Sequence, residues 1–221
     1  MTTDTPVHIA VVLDRSGSMA SIADDVVGGF NAYLGEQQKV RGEARLTLAQ
    51  FDSEDPFEVL VDGTDITTVQ PLAREAYRPR GTTPLFDAIG RMIARIDTEV
   101  ARRRVDGEPA EDQVVVILTD GLENASREFS RADVLPLIEH RRSSGWVFVF
   151  LGADQDSLAA GGAIGVAAPN ARNWSKSKQG VEQVYRDLSR STTLHREKAA
   201  ALRRQDADHF YVPEAESEPA K

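Results

Sequence analysis

Three oxygen-bearing side chains follow the first apolar segment of the chain, in Asp14-Arg15-Ser16-Gly17-Ser18. Residues 7–13 are apolar and a helix-like pattern comes next, so this stretch lies where a strand turns into a helix. The carboxylate of Asp14 and the hydroxyls of Ser16 and Ser18 stand at alternate positions and can point at one spot. Hard oxygen donors of this kind suit a small divalent cation such as Mg²⁺, which prefers near-octahedral geometry and keeps part of its water.

Two distant stretches have the same local setting. Gly81-Thr82-Thr83-Pro84-Leu85 opens a predicted helix, and Thr119-Asp120-Gly121 closes an apolar run. In open parallel sheets, ligands bind outside the carboxyl ends of the strands. Asp14, Asp120 and Asp154 each follow a predicted buried strand directly or nearly so. We therefore expect the polar groups of these stretches to gather at one edge of a sheet.

Each stretch taken alone also has an ordinary explanation. Asp and Ser favour helix N-termini for reasons unrelated to metals. Thr83-Pro84 is a strong helix start with threonine at the cap and proline at the first helical position, and Asp120-Gly121 is typical of a turn. The joint occurrence of all three, in this order and at strand–helix junctions, favours a common site over three independent caps.

The three stretches together resemble the metal-ion-dependent adhesion site of von Willebrand factor type A domains. The likeness covers roughly residues 7–188 and is closer to the stand-alone bacterial domains, including those near tellurium-resistance systems, than to animal adhesion domains. Thr82 departs from the family, which often has a second glycine there, and the offset favours Thr83 as the ligand. The matching residues are Asp14-Arg15-Ser16-Gly17-Ser18 for the Asp-x-Ser-x-Ser motif, Thr83 followed by Ala88-Ile89 for the threonine motif, and Thr119-Asp120-Gly121 for the third.

The resemblance implies a Mg²⁺ or Mn²⁺ site and a role for each ligand. Ser16 and Ser18 would bind the metal directly, Thr83 directly in one state and through water in another, and Asp14 and Asp120 mainly through water. A cation held in this way stays electrophilic and leaves one position for an outside carboxylate. The implied function is a metal-dependent protein–protein interaction module rather than an enzyme, and the implied partner is an unidentified protein that supplies an Asp or Glu.

Residues around the motifs give further expectations. Arg15, Arg78 and Arg80 are interpreted either as a basic rim of the site or as ordinary solvated arginines. The loop of Asp154, Gln155 and Asp156 is expected to shape the choice of partner. Asp24-Asp25 come too late after the first motif to build a second metal site, so we expect an exposed helix face there.

Two other functions could use residues at these positions. Phosphohydrolases of the haloacid-dehalogenase type also place an aspartate at the end of the first strand, but they need a second aspartate two residues later as general acid. That position is Ser16, which cannot serve as an acid near neutral pH. A metal-free scaffold of the same fold is the third possibility, and the intact set of five oxygen-bearing side chains argues against it.

Composition narrows the class of protein. The chain has 221 residues, a formal net charge of −9 and no cysteine. A broad nucleic-acid surface, disulfides and thiolate metal sites are therefore not expected. Residues 1–6 show no secretory signal, and no apolar run approaches the roughly 20 residues that span a bilayer. We expect a soluble, cytoplasmic protein without membrane contact, and the sequence leaves its oligomeric state open.

Strand-like and helix-like segments alternate along most of the chain, which favours an α/β fold. The expected fold is a Rossmann-like, doubly wound, mostly parallel six-stranded sheet with one antiparallel edge strand and helices on both faces. Residues 1–204 are predicted to form one domain of the type A kind, and 205–221 a disordered acidic tail. The helix near Val134 is expected to be capped by Asp133, with Pro136 in its first turn. His8 is expected to be a satisfied strand histidine, and the other histidines surface residues: His140, His195 and His209.

Overall fold

One sheet of six strands organises the part of the chain that the computed structural model describes, residues 5–153 and 157–211. Its spatial order is β3-β2-β1-β4-β5-β6, and only β2 and β3 pair antiparallel. The predicted fold class is confirmed, with β3 as the antiparallel edge strand. The strands are β1 Val7–Asp14, β2 Ala44–Phe51, β3 Glu58–Asp65, β4 Asp112–Thr119, β5 Val147–Ala153 and β6 Ala171–Trp174.

Helices cover both faces of the sheet. Successive strand residues point to opposite sides, and in the central strands both sets are apolar, so each face needs a covering layer. In β1, Ile9 and Val11 pack into the core shared with α1 and α5, while Ala10 and Val12 pack into the core shared with α2 and α3. Short 3₁₀ turns lie at Gly17–Ile22, Ile66–Thr68, Arg74–Ala76 and Ala168–Asn170. The helices are α1 Ala23–Gln37, α2 Leu85–Val105, α3 Arg131–Ser143, α4 Ser157–Ala163, α5 Lys178–Glu197 and α6 Ala200–Gln205.

The register of the central strands brings the polar motifs to one edge. Leu13 of β1 pairs with Leu118 of β4, so the next residues, Asp14 and Thr119, end their strands side by side at the carboxyl edge of the sheet. Asp14 also lies opposite Phe51, the last residue of β2. Parallel pairing of β1 with β4 therefore positions the first and third motifs side by side.

Two predicted helix caps are wrong by one to three residues. Pro84, with φ −82° and ψ 65°, is the N-cap of α2, so Thr83 precedes the cap instead of forming it. Ser130, not Asp133, is the N-cap of α3. The Ser130 backbone N–H donates to Asp133 Oδ2 at 2.8 Å and the Ser130 side chain accepts from the Asp133 backbone N–H, so the two residues form a capping box. Pro136 consequently lies inside α3 rather than in its first turn.

The histidines differ in their surroundings. His8 is buried and hydrogen-bonded to Gln113 and Thr47, as expected. His140 and His209 are exposed. The prediction was wrong for His195, which is 3% exposed, because α5 lies on the core and Phe210 packs 5.7 Å away, ring centre to ring centre. Burial lowers the pKa of His195 to about 4.

The chain after α6 packs against the folded body as far as Tyr211. Phe210 and Tyr211 are buried, and the Phe210 N–H donates to Asn170 Oδ1 at 2.8 Å. The predicted tail, 205–221, begins too early, because Gln205 ends α6 and the chain packs as far as Tyr211; residues 212–221 lie outside the described residues. Among the helices of the described residues, none has the length and apolar character that crossing a bilayer requires.

Candidate metal centre

Asp14 is fully buried at the end of β1 and is held by two hydrogen bonds. The Ser16 backbone N–H donates to Asp14 Oδ1 at 2.7 Å, and the Thr119 hydroxyl donates to Oδ2 at 2.5 Å. Burial raises the pKa of Asp14 to about 6, although the bonds from Thr119 and Ser16 act in the opposite direction. The site thus contains a carboxylate whose ionised form is poorly compensated by the protein itself.

A chain of short contacts connects the first motif to the third. Ser16 Oγ lies 3.0 Å from Ser18 Oγ, and the Ser18 hydroxyl donates to Asp120 Oδ1 at 2.6 Å. Ser16 is buried, whereas Ser18 is exposed. Residues 102 positions apart in sequence are therefore in direct contact, with one end of the cluster facing solvent.

Thr83 joins the cluster from the loop before α2. Asn124 fixes its backbone: the Thr83 N–H donates to Asn124 Oδ1 at 2.8 Å, and the Asn124 N–H donates to the Thr83 carbonyl at 3.1 Å. A Cβ placed on Gly121 would lie 3.3 Å from Thr83 Oγ1, so that hydroxyl stands beside the residue after Asp120. The structure thus brings all five predicted residues to the same edge of the sheet.

Backbone contacts lock the first and second loops together. The Gly17 N–H donates to the Gly81 carbonyl at 3.1 Å, and the Arg80 N–H donates to the Arg15 carbonyl at 2.9 Å. Gly81 has a φ of +63°, and a Cβ there would lie 2.5 Å from the Ser53 hydroxyl oxygen. A glycine is required at position 81 for this close approach.

Arg15 belongs to neither of the two predicted classes, rim or solvated surface, since it is 4% exposed. Its Nε donates to Asp52 Oδ2 at 2.6 Å, and its guanidinium also pairs with Glu58. Arg80 contacts the same Asp52 oxygen at 3.1 Å, and Arg78 is exposed. The ion pair beneath the first motif anchors the backbone that carries Ser16.

Lys176 was not predicted as a site residue, and the structure adds it. It follows β6 and places Nζ 2.6 Å from Asp120 Oδ2. The contact is an ion pair between an ammonium group and a carboxylate. Asp14 and Asp120 were predicted as site residues because each follows a strand, and ligands bind at the carboxyl ends of parallel strands. Lys176 follows the predicted sixth strand, so the same reasoning could have found it. Residues Asp154, Gln155 and Asp156 lie outside the described residues.

The residues present fit a hard divalent cation. The donors are two carboxylates and three hydroxyls, and oxygen ligands of this kind suit Mg²⁺ or Mn²⁺. Asp120 Oδ2 is buried, and its contact in the described part of the chain is the cationic Lys176 Nζ at 2.6 Å, so this oxygen already faces positive charge. Groups of three or more His, Cys, Asp or Glu side chains suited to a metal are absent from residues 5–153 and 157–211. The five proposed ligands contain only two acidic side chains, Asp14 and Asp120, so they are not a group of that kind.

The open, mostly parallel sheet with helices on both faces and polar loops at its carboxyl edge defines a Rossmann-like α/β protein. A family model described as von Willebrand factor type A domain matches residues 8–179. The chain therefore belongs to the von Willebrand factor type A family. Among curated protein sequences, no relative is found.

Solved structures share the fold at low sequence identity. The pilus adhesin SpaC from Lactobacillus rhamnosus GG is 15% identical with a TM-score of 0.64, over 86% of this chain and 30% of SpaC. A von Willebrand factor type A protein from Catenulispora acidiphila is 13% identical with a TM-score of 0.55, over 86% of this chain and 43% of that one.

A third similar structure is proximal thread matrix protein 1 from the mussel byssus, determined with a zinc-occupied MIDAS motif, the metal-ion-dependent adhesion site. It is 16% identical with a TM-score of 0.57, over 84% of this chain and 48% of that one. This chain therefore spans between 30% and 48% of the length of the three proteins. At these identities the likeness shows the fold alone.

Proposed function

We propose that this chain is a metal-dependent protein-interaction module. Its cation, Mg²⁺ or Mn²⁺, would be held by Asp14, Ser16, Ser18, Thr83 and Asp120, and its partner would be a protein that supplies an Asp or Glu side chain. The observation that carries the proposal is the contact between the first and third motifs, with the Ser18 hydroxyl 2.6 Å from Asp120 Oδ1.

Two features of the described residues and two of the comparisons support the proposal. Thr83, Asp14 and Ser16 are each at most 3% exposed, and hydrogen bonds or close packing hold each in place. Ser18 faces solvent, so an outside group can reach the cluster. The family model covers the whole stretch from the first motif to the third, and a similar fold, that of proximal thread matrix protein 1, carries zinc at its MIDAS motif.

The protein's own groups have separable tasks in this proposal. Ser16, Ser18 and Thr83 present neutral hydroxyl oxygens, and Asp14 and Asp120 supply negative charge. A bound divalent cation would add positive charge with a coordination position open to a carboxylate, so an acidic chain could recognise an acidic partner. The narrower likeness to the stand-alone bacterial domains near tellurium-resistance systems stays a prediction, as does a cytoplasmic location.

Calorimetric titration with MgCl₂ and MnCl₂ tests the metal site directly. The wild type is expected to bind, and Ser16→Ala and Thr83→Ala to bind at least about tenfold more weakly, because each removes one proposed ligand oxygen. Thr82→Ala is the matched control: it removes the same hydroxyl from an adjacent, exposed position. Absence of binding to the wild type at millimolar metal would refute the proposal.

The partner is tested by affinity capture in magnesium with wild type, with Asp14→Ala and with wild type in EDTA. Proteins retained only by the wild type in magnesium are candidate partners, and mutation of an exposed acid on such a protein should release it. Exchange of Asp154, Gln155 and Asp156 is expected to change the partner and leave the dissociation constant for metal unchanged. A phosphohydrolase is not proposed, because Ser16 stands where its general acid would be.

A further inference from the structure

Lys176 brings an ammonium group into the proposed cation site. Its Nζ lies 2.6 Å from Asp120 Oδ2, and the other oxygen of that carboxylate accepts the Ser18 hydroxyl at 2.6 Å. The Asp120 side chain is fully buried, whereas 26% of the Lys176 side chain is exposed. One carboxylate is thus shared between a cation of the chain itself and a hydroxyl proposed to bind metal.

Charge explains why the lysine lies there. A buried carboxylate without a positive partner is strongly unfavourable, and removal of one partner of a buried ion pair destabilises a protein. With Lys176 in contact, the charge on Asp120 is balanced without a divalent ion. A divalent cation held by the same carboxylate would face an ammonium group of like charge at short range in a partly buried site, where Coulomb repulsion is weakly screened.

We propose that Lys176 is an internal cation that holds Asp120 in the metal-free protein, and that a divalent cation binds by displacing it. This inference rests on the proposed function, since it concerns how the same five residues acquire their metal. It has two consequences. The metal-free protein keeps a folded, ordered site, and the site responds to metal at higher concentrations than the same site without the lysine.

Calorimetric titration with MgCl₂ and MnCl₂ tests the proposal on the full chain. Lys176→Met is expected to bind both metals at least about tenfold more tightly than wild type, because it removes one like charge near the cation. Lys176→Arg keeps the charge and is expected to bind as wild type does. Lys178→Met is the matched control, because it removes a positive charge two residues away that pairs with Glu182 at 4.0 Å.

Thermal melting gives a second measurement that does not depend on a bound partner. In EDTA, Lys176→Met is expected to melt below wild type because Asp120 loses its counter-charge, and its rise in melting temperature on adding magnesium is expected to exceed that of wild type. Lys176→Gln, which keeps a hydrogen-bond donor near Asp120, gives the same comparison if the methionine variant does not fold.

The outcomes separate this proposal from the one before it. Equal dissociation constants for wild type and Lys176→Met, or weaker binding by the variant, would overturn the displacement of Lys176 while leaving a metal-binding protein. Absence of binding by wild type and by every Lys176 variant would instead overturn the metal-binding function, and the role of Lys176 with it.

Discussion

Replacement of Asp14 by asparagine is expected to stabilise the metal-free protein while abolishing its metal response. Asp14 is fully buried, and burial raises its pKa from the ordinary 3.8 to about 6. A difference of one pKa unit corresponds to about 1.4 kcal/mol, so the ionised carboxylate lowers the free energy of unfolding by about 3 kcal/mol at neutral pH. An uncharged side chain of the same shape removes that cost.

The surroundings of Asp14 accept an amide without rearrangement. The Ser16 N–H can donate to the amide oxygen as it does to Oδ1 now. The amide nitrogen can donate to Thr119 Oγ1, whose own proton can be directed to the Gly121 carbonyl at 3.0 Å. Every polar atom therefore keeps a partner, and the effect of the substitution is mainly one of charge.

The pH dependence has a definite sign. Because the folded pKa of Asp14 is raised, the folded state binds the proton more tightly than the unfolded state. The destabilisation is complete above about pH 6 and disappears as pH falls below about 4. Asp14→Asn should therefore gain its full stability near pH 7, on the order of 10 °C in melting temperature for a chain of this size, and almost none near pH 4.

Thermal and urea unfolding in EDTA, followed by circular dichroism at both pH values, measures this difference. Asp25→Asn, at a partly exposed position of α1, is the control and should change little. On addition of magnesium, wild type should rise in melting temperature and Asp14→Asn should not. A variant less stable than wild type near pH 7 in EDTA would show that the buried carboxylate is stabilising, and the reasoning would be wrong.

Three further predictions concern stability and are checked by chemical unfolding. Arg15→Met is expected to lower the free energy of unfolding by about 3 kcal/mol, because it removes a partner of the buried Asp52 carboxylate; an unchanged midpoint would contradict this. Gly81→Ala should cost about 1–3 kcal/mol, since φ is +63° and the new Cβ would overlap a serine hydroxyl, whereas Gly35→Ala, in open space on α1, should be neutral or stabilising. Burial lowers the pKa of His8 to about 4, so the contribution of neutral His8 to the free energy of unfolding is intact above pH 6.5 and falls by about 2 kcal/mol by pH 5. Asp14 and His195 also change stability over this range, so the difference between wild type and His8→Gln isolates the His8 part, and an equal pH slope in both proteins would refute it.

Local sequence determined the elements and the positions of the five proposed ligands. The continuous apolar runs that became β1, β4 and β5 are buried on both faces of a parallel sheet, and a run of this kind leaves few alternatives. Asp14 and Asp120 each follow a predicted strand, and parallel strands share a carboxyl edge, so the sequence was enough to expect these two residues close together. The structure brings them there. Whether they bind metal stays a prediction.

Only the tertiary structure decided which side chains meet. The sequence indicated that Arg15 was a surface group, yet β2 and β3 bring Asp52 and Glu58 beneath it, so it is buried as an ion pair. His195 is covered by a segment that composition assigned to a tail. Lys176 meets Asp120 across 56 positions because β5 and β6 extend the sheet beyond β4. Each of these contacts depends on strand order and register over long sequence separations, and no local pattern of residue types encodes them.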